Sequence, residues 1–338
     1  MKIAIHKTAH SFSDRWIDYC EKENIPYKIV DCYQTNIIEQ IEDCDALMWH
    51  FHHANAKATL FAKQLLYSVK ASGKKVFPDF ETAWHFDDKV GQKYLLESIQ
   101  APLVPSHVFY TKVEAMDWAQ HTDFPKVFKL RGGAGSANVR LVKSSSVAIQ
   151  LISQAFGKGF SQYNAWSNFK ERVRKYKNNK TTLFEVLKGF LRMAHTTEFA
   201  KVAGREKGYI YFQNFIPNNS SDVRVIVIDE KAFAIKRMVR ENDFRASGSG
   251  SIFYEKELFD LNTIKVALDV SKKLNAQCMA FDFVYADDKP LIVEISYGFS
   301  MLGYDACQGY WDKDLIWHEG HFVPQHWMMQ LIIKEINQ

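Results

Sequence analysis

The chain has 338 residues, 47% hydrophobic and 14% aromatic, enough apolar material for one large core or two to three smaller ones and too much for a disordered protein. A formal charge of +4 is ordinary for a soluble domain and points to no nucleic-acid partner. The five cysteines, Cys20, Cys32, Cys44, Cys278 and Cys307, are odd in number and widely spaced with no C-x-x-C pair, as expected of reduced thiols rather than a zinc or redox centre.

The amino terminus, MKIAIHKTAHSF, lacks a long apolar run and a small-residue cleavage site, and no stretch reaches the length of a membrane span, so a cytoplasmic location is expected. KIAIH, an amphipathic run from Ser13 to Lys22, YKIVD, a run from Ile37 to Ile41, ALMWHF and a helix from Ala56 to Val69 alternate as strand and helix. Such alternation predicts a parallel sheet covered on both faces. No G-x-G-x-x-G follows the first strand, which leaves a Rossmann-like unit without a dinucleotide fingerprint. Ligands of open parallel sheets gather beyond the carboxyl ends of the strands, which here read His6-Lys7 and His50-Phe51-His52-His53. His52 and His53 are therefore candidate substrate-lining residues. A solvated strand end is one alternative, and a metal site is another, because His50 and His52 share a face of an extended strand.

A helix from Asp87 to Ile99 stops before Pro102 and Pro105 and leads into a new domain. The strand KVFKL, residues 126–130, then runs into RGGAGSAN and out through VRLV. From Phe156 to Arg205 the pattern is helical and polar. Within it FKERVRKYKNNK, residues 169–180, sets six Lys or Arg against one acid, with Phe169, Val173 and Tyr176 on one helical face. A solvated amphipathic helix explains this segment, and peripheral docking to an anionic membrane surface or glycolipid headgroup is the alternative. The strands YIYFQNFI, VRVIVI and KAFAIKRMV, a helix near Thr263 to Leu274, and the hairpin FDFVYADDKPLIVEIS, residues 281–296, follow.

That hairpin carries Asp282 and Glu294 on opposite arms of a turn centred on Asp288, which sets the two acids directly opposite each other, roughly 4.5–5.5 Å apart. Like charges so placed repel unless a cation lies between them, so a metal is expected there. The RGGAGSAN loop has three glycines and mostly small side chains, so its amides can approach an anion closely. It is not a Walker loop, because it joins two strands in the manner of a hairpin that covers ATP phosphates; a plain turn is the alternative. Lys129, bracketed by apolar residues in VFKL, is costly to bury without an anion, though it could snorkel to the surface. With Arg224, Arg237 and the opposed acids, these parts make up an apparatus for ATP and Mg2+.

On VFKLRGGAGSANVRLV, YFQNFIPNNSSDVRVIVI, KRMVRENDFRASGSG, and FDFV followed by VEIS, the chain resembles the ATP-grasp superfamily over nearly its whole length, in the branch of glutathione synthetase and the ribosomal-protein glutamate ligase. The resemblance implies an α/β (α+β) ATP-grasp fold in which two α+β subdomains grip ATP. A Rossmann-like N-terminal domain with linker would span residues 1–105. A lid subdomain would span 106–208, with a basic helical insertion at about 156–205, and a C-terminal subdomain with the metal site would span 209–338. By that likeness Lys129, Gly132, Gly133, Gly135 and Ser136 would hold ATP phosphates, and Gln213, Asn214 and Phe215 would form the hinge that meets adenine through its backbone. Arg237 would face the transferring phosphoryl group or the substrate carboxylate, with Arg224 and Arg245 nearby. Asp282 and Glu294 would hold Mg2+, as one or two ions for which Mn2+ could substitute. Ser296 stands where family members usually have Asn, and its shorter oxygen would reach the ion through water.

The reaction so implied is an ADP-forming carboxylate–amine ligation through an acylphosphate. After the metal strand, YGFSMLGYDACQGYWDKDLIWHEGHF offers Tyr297, Tyr310 and Trp311 as platforms for a sugar, with packing against the C-terminal helix as the alternative. This segment resembles ATP-grasp proteins that accompany bacterial surface-polysaccharide synthesis, which implies amidation of a sugar-linked carboxylate or attachment of an amino acid. Two other functions use the same pocket: a phosphotransferase acting on a hydroxyl, and a regulatory ATP-binding protein without turnover, for which Ser296 speaks.

Overall fold

Parallel strands β1 Ile3–His6, β2 Tyr27–Val30, β3 Ala46–Met48 and β4 Lys75–Phe77 form the first sheet in the order β2-β1-β3-β4. The computed structural model describes residues 1–53, 55–132, 138–161, 204–240, 243–246 and 250–338, with the single positions 173, 176 and 182. Every residue of β1 is buried because helices cover both faces. Ile3 and Ile5 pack with Phe12, Trp16 and Cys20 of helix Phe12–Lys22, while Ala4 faces Ala62 and Leu66 of helix Ala56–Ala71. Both helices are capped by side chains that accept free amides of the first turn: Ser11 Oγ from Ser13 N, and Asn55 Oδ1 from Lys57 N and Ala58 N.

The second sheet holds β5 Ser106–Phe109, β6 Lys126–Lys129, β7 Arg140–Val142 and, after the short pair β8 Phe160–Ser161 and β9 Arg205–Glu206, β10 Ile210–Asn214, in the order β5-β10-β6-β7. Helices Lys112–His121 and Ser145–Ala155 close over Phe128 and Phe212. The strands on either side of RGGAGSAN pair as the expected hairpin. Residues 210–214, expected with the C-terminal subdomain, instead hydrogen-bond between β5 and β6, so the boundary between sheets falls after them. Gly133, Gly135, Ser136 and most of the basic stretch lie outside the described residues.

The third sheet is antiparallel: β11 Ser221–Ile228, β12 Lys231–Met238, β13 Ile252–Phe253, β14 Cys278–Ala286, β15 Lys289–Ser296, β16 Gly309–Trp311 and β17 Trp317–Glu319, ordered β15-β14-β11-β12-β16-β17 with β13 against β12. Helix Leu261–Lys273 covers one part of it. The C-terminal helix Pro324–Ile336 joins it to the first sheet, with Met328 and Ile332 in one core with Ile3, Trp16, Ile226 and Phe233. Among the described residues no helix is long and apolar enough to cross a membrane.

The β14–β15 hairpin turns through Asp287 and Asp288, with φ of 48° and 60°, the left-handed pair of a tight two-residue turn, rather than through a turn centred on Asp288. A regular ladder from that turn sets Asp282 opposite Val293. A bulge between Asp282 and Phe283 inserts Val293 as an extra residue, so that Phe283 pairs with Ile292 and Asp282 with Glu294. The facing of the two acids is therefore a product of the bulge.

Candidate active site

A cleft of about 840 Å³ runs between the three sheets, from the hinge side at Phe215 past Lys129, Asp282 and Glu294 to the ends of β1 and β3 at His10 and His52. Strand alternation sets its floor. Val223, Val225, Phe281 and Phe283 point into the core, so Asp222, Arg224 and Asp282 point into the cleft. Cross-strand pairing orders these charges, with Asp222 opposite Arg237, Arg224 opposite Asp282 and Asp282 opposite Glu294. Arg237 grips Asp222 as a fork, Nε to Oδ1 at 2.7 Å and Nη2 to Oδ2 at 2.6 Å, and its Nη2 also donates to Asp282 Oδ1 at 2.9 Å. Arg224 Nε lies 2.7 Å from Asp282 Oδ1, an ionic contact without hydrogen-bond alignment. Burial pushes the Asp282 carboxyl up, but Arg224, Arg237 and Lys129 outweigh it and hold the group below the usual carboxylate range.

Lys129 is 5% exposed and donates from Nζ to Gln213 Oε1 at 2.7 Å. Gln213 is fixed in turn, its Nε2 donating to Ser106 Oγ at 3.1 Å and Val293 O at 3.3 Å. Burial lowers the Lys129 ammonium to about 8, with Lys89 adding to the fall and Glu294 and Asp282 resisting it. Asn214 N donates to Pro105 O at 2.8 Å and its side chain accepts from Lys126 Nζ at 2.8 Å, while Phe215 reaches the cleft with its ring edge-on to Phe244. Arg245 lines the same end, where its Nε donates to Asp243 Oδ1 at 2.9 Å. Gly132 N donates to Glu206 Oε1 at 3.3 Å, beside Arg131 N on Oε2 at 3.0 Å.

Glu294 has a partner that sequence reasoning missed. Lys89, 5% exposed, places Nζ 3.1 Å from Glu294 Oε1. Burial draws its ammonium down, but Glu294 and Asp87 outweigh that and raise it. Lys89 opens helix Lys89–Ser98 directly after the capping Asp88, where the helix dipole disfavours a cation. A lysine at that position was the available signal of a nearby anion. Asp222, the anchor of Arg237, was also missed.

The expected opposition of Asp282 and Glu294 is present, but its inferred consequence needs correcting. Lys89 neutralises one acid and the two arginines the other, so repulsion does not by itself call for a metal. Among the described residues no group of three or more His, Cys, Asp or Glu could hold one. Ser296 Oγ donates to Gly298 O at 2.9 Å and accepts from Gly298 N at 3.2 Å, closing a tight turn. What remains is a pair of hard carboxylate donors on the cleft wall. Such a pair fits a Mg2+ that takes its other ligands from phosphate and water, and does not fit an all-protein cage.

His52 and His53 line the N-terminal end of the cleft, their rings 4.0 Å apart. Beside them His50 stacks on Phe12 at 3.7 Å, and its Nδ1 accepts from Phe12 N at 3.3 Å. That nitrogen is thereby occupied, which tells against the histidine metal site. Burial lowers His50 and His53 to about 3, so both are neutral at physiological pH. The aromatic platforms are corrected outright. Tyr297 is fully buried, its hydroxyl donating to Phe51 O. Tyr310 packs on Trp327 of the C-terminal helix at 4.8 Å, and Trp311, 4% exposed, on Trp317 at 4.6 Å. None of the three lines the cleft; Phe86, Phe299, Met301 and Leu302 supply its apolar wall instead.

Residues 191–306 match the family of the RimK-like ATP-grasp domain. No curated protein matches the chain. Among solved structures it is similar to the RimK domain ATP-grasp protein of Sphaerobacter thermophilus, at 14% identity over 89% of this chain and 93% of that one, with a TM-score of 0.53. It is similar to the D-alanine–D-alanine ligase of Bacillus anthracis at 13% identity over 100% of this chain and 99% of that one, with a TM-score of 0.59. A D-cycloserine synthetase aligns at 12% identity over 99% and 100% of the two chains, with a TM-score of 0.59. Likeness at this level of identity establishes the architecture.

Proposed function

We propose that this chain, whose fold is that of the ATP-grasp proteins and whose residues 191–306 match their RimK-like domain, is an ADP-forming ligase joining a small-molecule carboxylate to an amine. The carrying observation is the convergence in one cleft of Lys129 and Lys89, Arg224 and Arg237, and the carboxylates of Asp282 and Glu294. Positive groups beside paired hard oxygens suit a nucleotide polyphosphate with a divalent ion and little else of that size.

In this reading ATP lies between the second and third sheets, its base against the Gln213 to Phe215 hinge and its phosphates toward Lys129 and the hairpin that begins at Gly132. A substrate carboxylate attacks the γ-phosphate to give ADP and an acylphosphate, and an amine then attacks the acyl carbon and expels phosphate. The protein contributes position and charge, with no covalent nucleophile. Lys129, oriented by Gln213, donates to a phosphate oxygen, and Arg237, aimed by the Asp222 fork, steadies the oxygens that pass to the carboxylate. Asp282 and Glu294 would hold a Mg2+ that would supply further neutralisation of the phosphate charge. The acceptors occupy the end walled by His52, His53, Phe86 and Phe299, where neutral imidazoles can exchange hydrogen bonds without adding charge. With Tyr297 and Trp311 buried and Tyr310 half-buried against Trp327, none of these three rings favours a sugar over other small carboxylates.

The pure protein, ATP and Mg2+ incubated with pools of carboxylates and amines test this. Free phosphate that appears only when both pools are present supports the ligase. Phosphate retained on an acceptor would make the protein a phosphotransferase, and tight ATP binding without ADP would make it a regulator.

A further inference from the structure

We infer that Tyr304 is a positioning residue that sets the angle of the Arg224 guanidinium for phosphoryl transfer; this deepens the ligase reading above and rests on it. Arg224 stands opposite Asp282 on neighbouring strands, 2.7 Å from Nε to Oδ1, yet Nε is buried and makes no hydrogen bond. An ionic contact of that kind draws the charges together without fixing the plane of the fork. A second contact is needed for the arginine to meet a phosphoryl oxygen at one place, since a displacement of about 1 Å can cost about a hundredfold in rate. Strand alternation says where that contact comes from. Arg224 and Ile226 point to one face of β11, and Phe233, opposite Ile226 on β12, points to the same face. Tyr304 packs edge-on against Phe233 with ring centroids 5.7 Å apart, one step along that face, and its hydroxyl lies against the Arg224 guanidinium.

Tyr304 can hold that angle because it is itself held. It is 4% exposed, its ring is also edge-on to Phe299 at 5.2 Å, and its backbone closes a turn, N donating to Met301 O at 3.0 Å and O accepting from Cys307 N at 3.0 Å. Tyr254 Oη braces the turn by donating to Gly303 O at 3.1 Å, and Asp305 Oδ2 accepts from Arg15 Nη2 of helix Phe12–Lys22 at 2.7 Å. The same turn presents Met301 and Leu302 to the acceptor end, so the acceptor wall and the arginine refer to one braced piece of backbone. The chemistry of the contact also suits the role. Burial, helped by Asp282, raises the phenol above its usual range against the pull of Arg224 and Arg237, so Tyr304 stays neutral. A neutral hydroxyl orients the guanidinium without cancelling its charge, which leaves that charge for the phosphoryl oxygens. Tyr304 is not part of the cleft wall, so it acts on substrate through Arg224.

Steady-state phosphate release and heteronuclear magnetic resonance of the arginine Nε–H groups test this on the whole chain. With ATP, Mg2+ and the carboxylate and amine pools, Y304F, which removes the hydroxyl and keeps the ring, is expected to lower kcat about tenfold and to leave KM for ATP within about twofold of the wild type. R224K should lower kcat further, and Y304F should add nothing in the R224K background, because the hydroxyl has lost the group through which it acts. The Arg224 signal, identified by its loss in R224K, should be sharp in the wild type and broadened in Y304F. Wild-type kcat in Y304F, or an equal loss from Y304F in the wild-type and R224K chains, overturns the positioning role while the ligase reading stands. An Arg224 signal that Y304F leaves unchanged does the same, and it decides the matter where R224K is too slow to measure. Should the wild type release no phosphate with both pools present, the ligase reading fails, and the role of Tyr304 in phosphoryl transfer fails with it.

Discussion

Lys129 should give the cleft a pH dependence with two opposite signs. Its ammonium is drawn from 10.5 to about 8 because burial strips its water, a penalty of order 3 kcal/mol that a bound phosphate would relieve. Lys89 and the two arginines stay charged above pH 8, their affinity for protons raised by facing carboxylates, and His50 and His53 are already neutral. Phosphate has lost its last proton by then, with a second pKa of about 6. Between pH 8 and 10, nucleotide binding must therefore return one proton to Lys129, and affinity for ADP should fall by up to about tenfold per pH unit. Stability moves the other way. In the window from about 8 to 10.5 the unfolded chain holds this proton and the folded chain does not, so the contribution of Lys129 to stability rises with pH there. Calorimetric titration with ADP and urea unfolding at pH 7.5, 8.5 and 9.5, on wild type and K129M, would read both. K129M should bind more weakly at pH 7.5 and show a flatter profile in both measurements. Wild-type affinity that holds constant to pH 9.5, or a fall that K129M reproduces in full, would place the titrating group elsewhere and refute the reasoning.

Glu294→Gln should abolish metal-dependent phosphate release while unfolding stays cooperative, since it removes a ligand charge and little volume; unchanged turnover would remove Glu294 from the site. Asp222→Asn should slow phosphate release and cost about 1–3 kcal/mol by urea denaturation, because the Arg237 fork loses its ionic partner and keeps only Asp282; wild-type values for both would deny it a positioning role. Tyr297→Phe should cost about 1 kcal/mol for the buried bond to Phe51 O and leave acceptor selectivity unchanged, whereas altered selectivity would return Tyr297 to the substrate wall.

Local pattern was enough for most strands, for the hairpin around RGGAGSAN and for the pairing of Asp282 with Glu294. The last was legible for an incomplete reason. A turn one residue shorter than expected was compensated by a bulge at Val293, and neither shows in the alternation of FDFVYADDKPLIVEIS. What sequence could not show was which distant groups would meet. A lysine opening a helix, as Lys89 does, hints at a nearby anion, but only the fold shows that the anion is Glu294, and the pairing of residues 210–214 with β5 and β6 joins segments far apart in the chain. The aromatic tail misled for the same cause: Tyr297, Tyr310 and Trp311 have the composition of a binding platform, and only the positions of Phe51, Trp327 and Trp317 draw them away from the cleft.

The central claim is that a nucleotide polyphosphate and its metal draw together the two facing carboxylates and the Lys129 ammonium. Anomalous diffraction from a crystal grown with Mn2+ and a non-hydrolysable ATP analogue tests it most directly. The account predicts a single strong peak or a close pair between Asp282 and Glu294, with the phosphates beside Lys129 and with Lys89 released from Glu294. Nucleotide bound with its metal elsewhere, or with both acids still on their lysine and arginine partners, would contradict it.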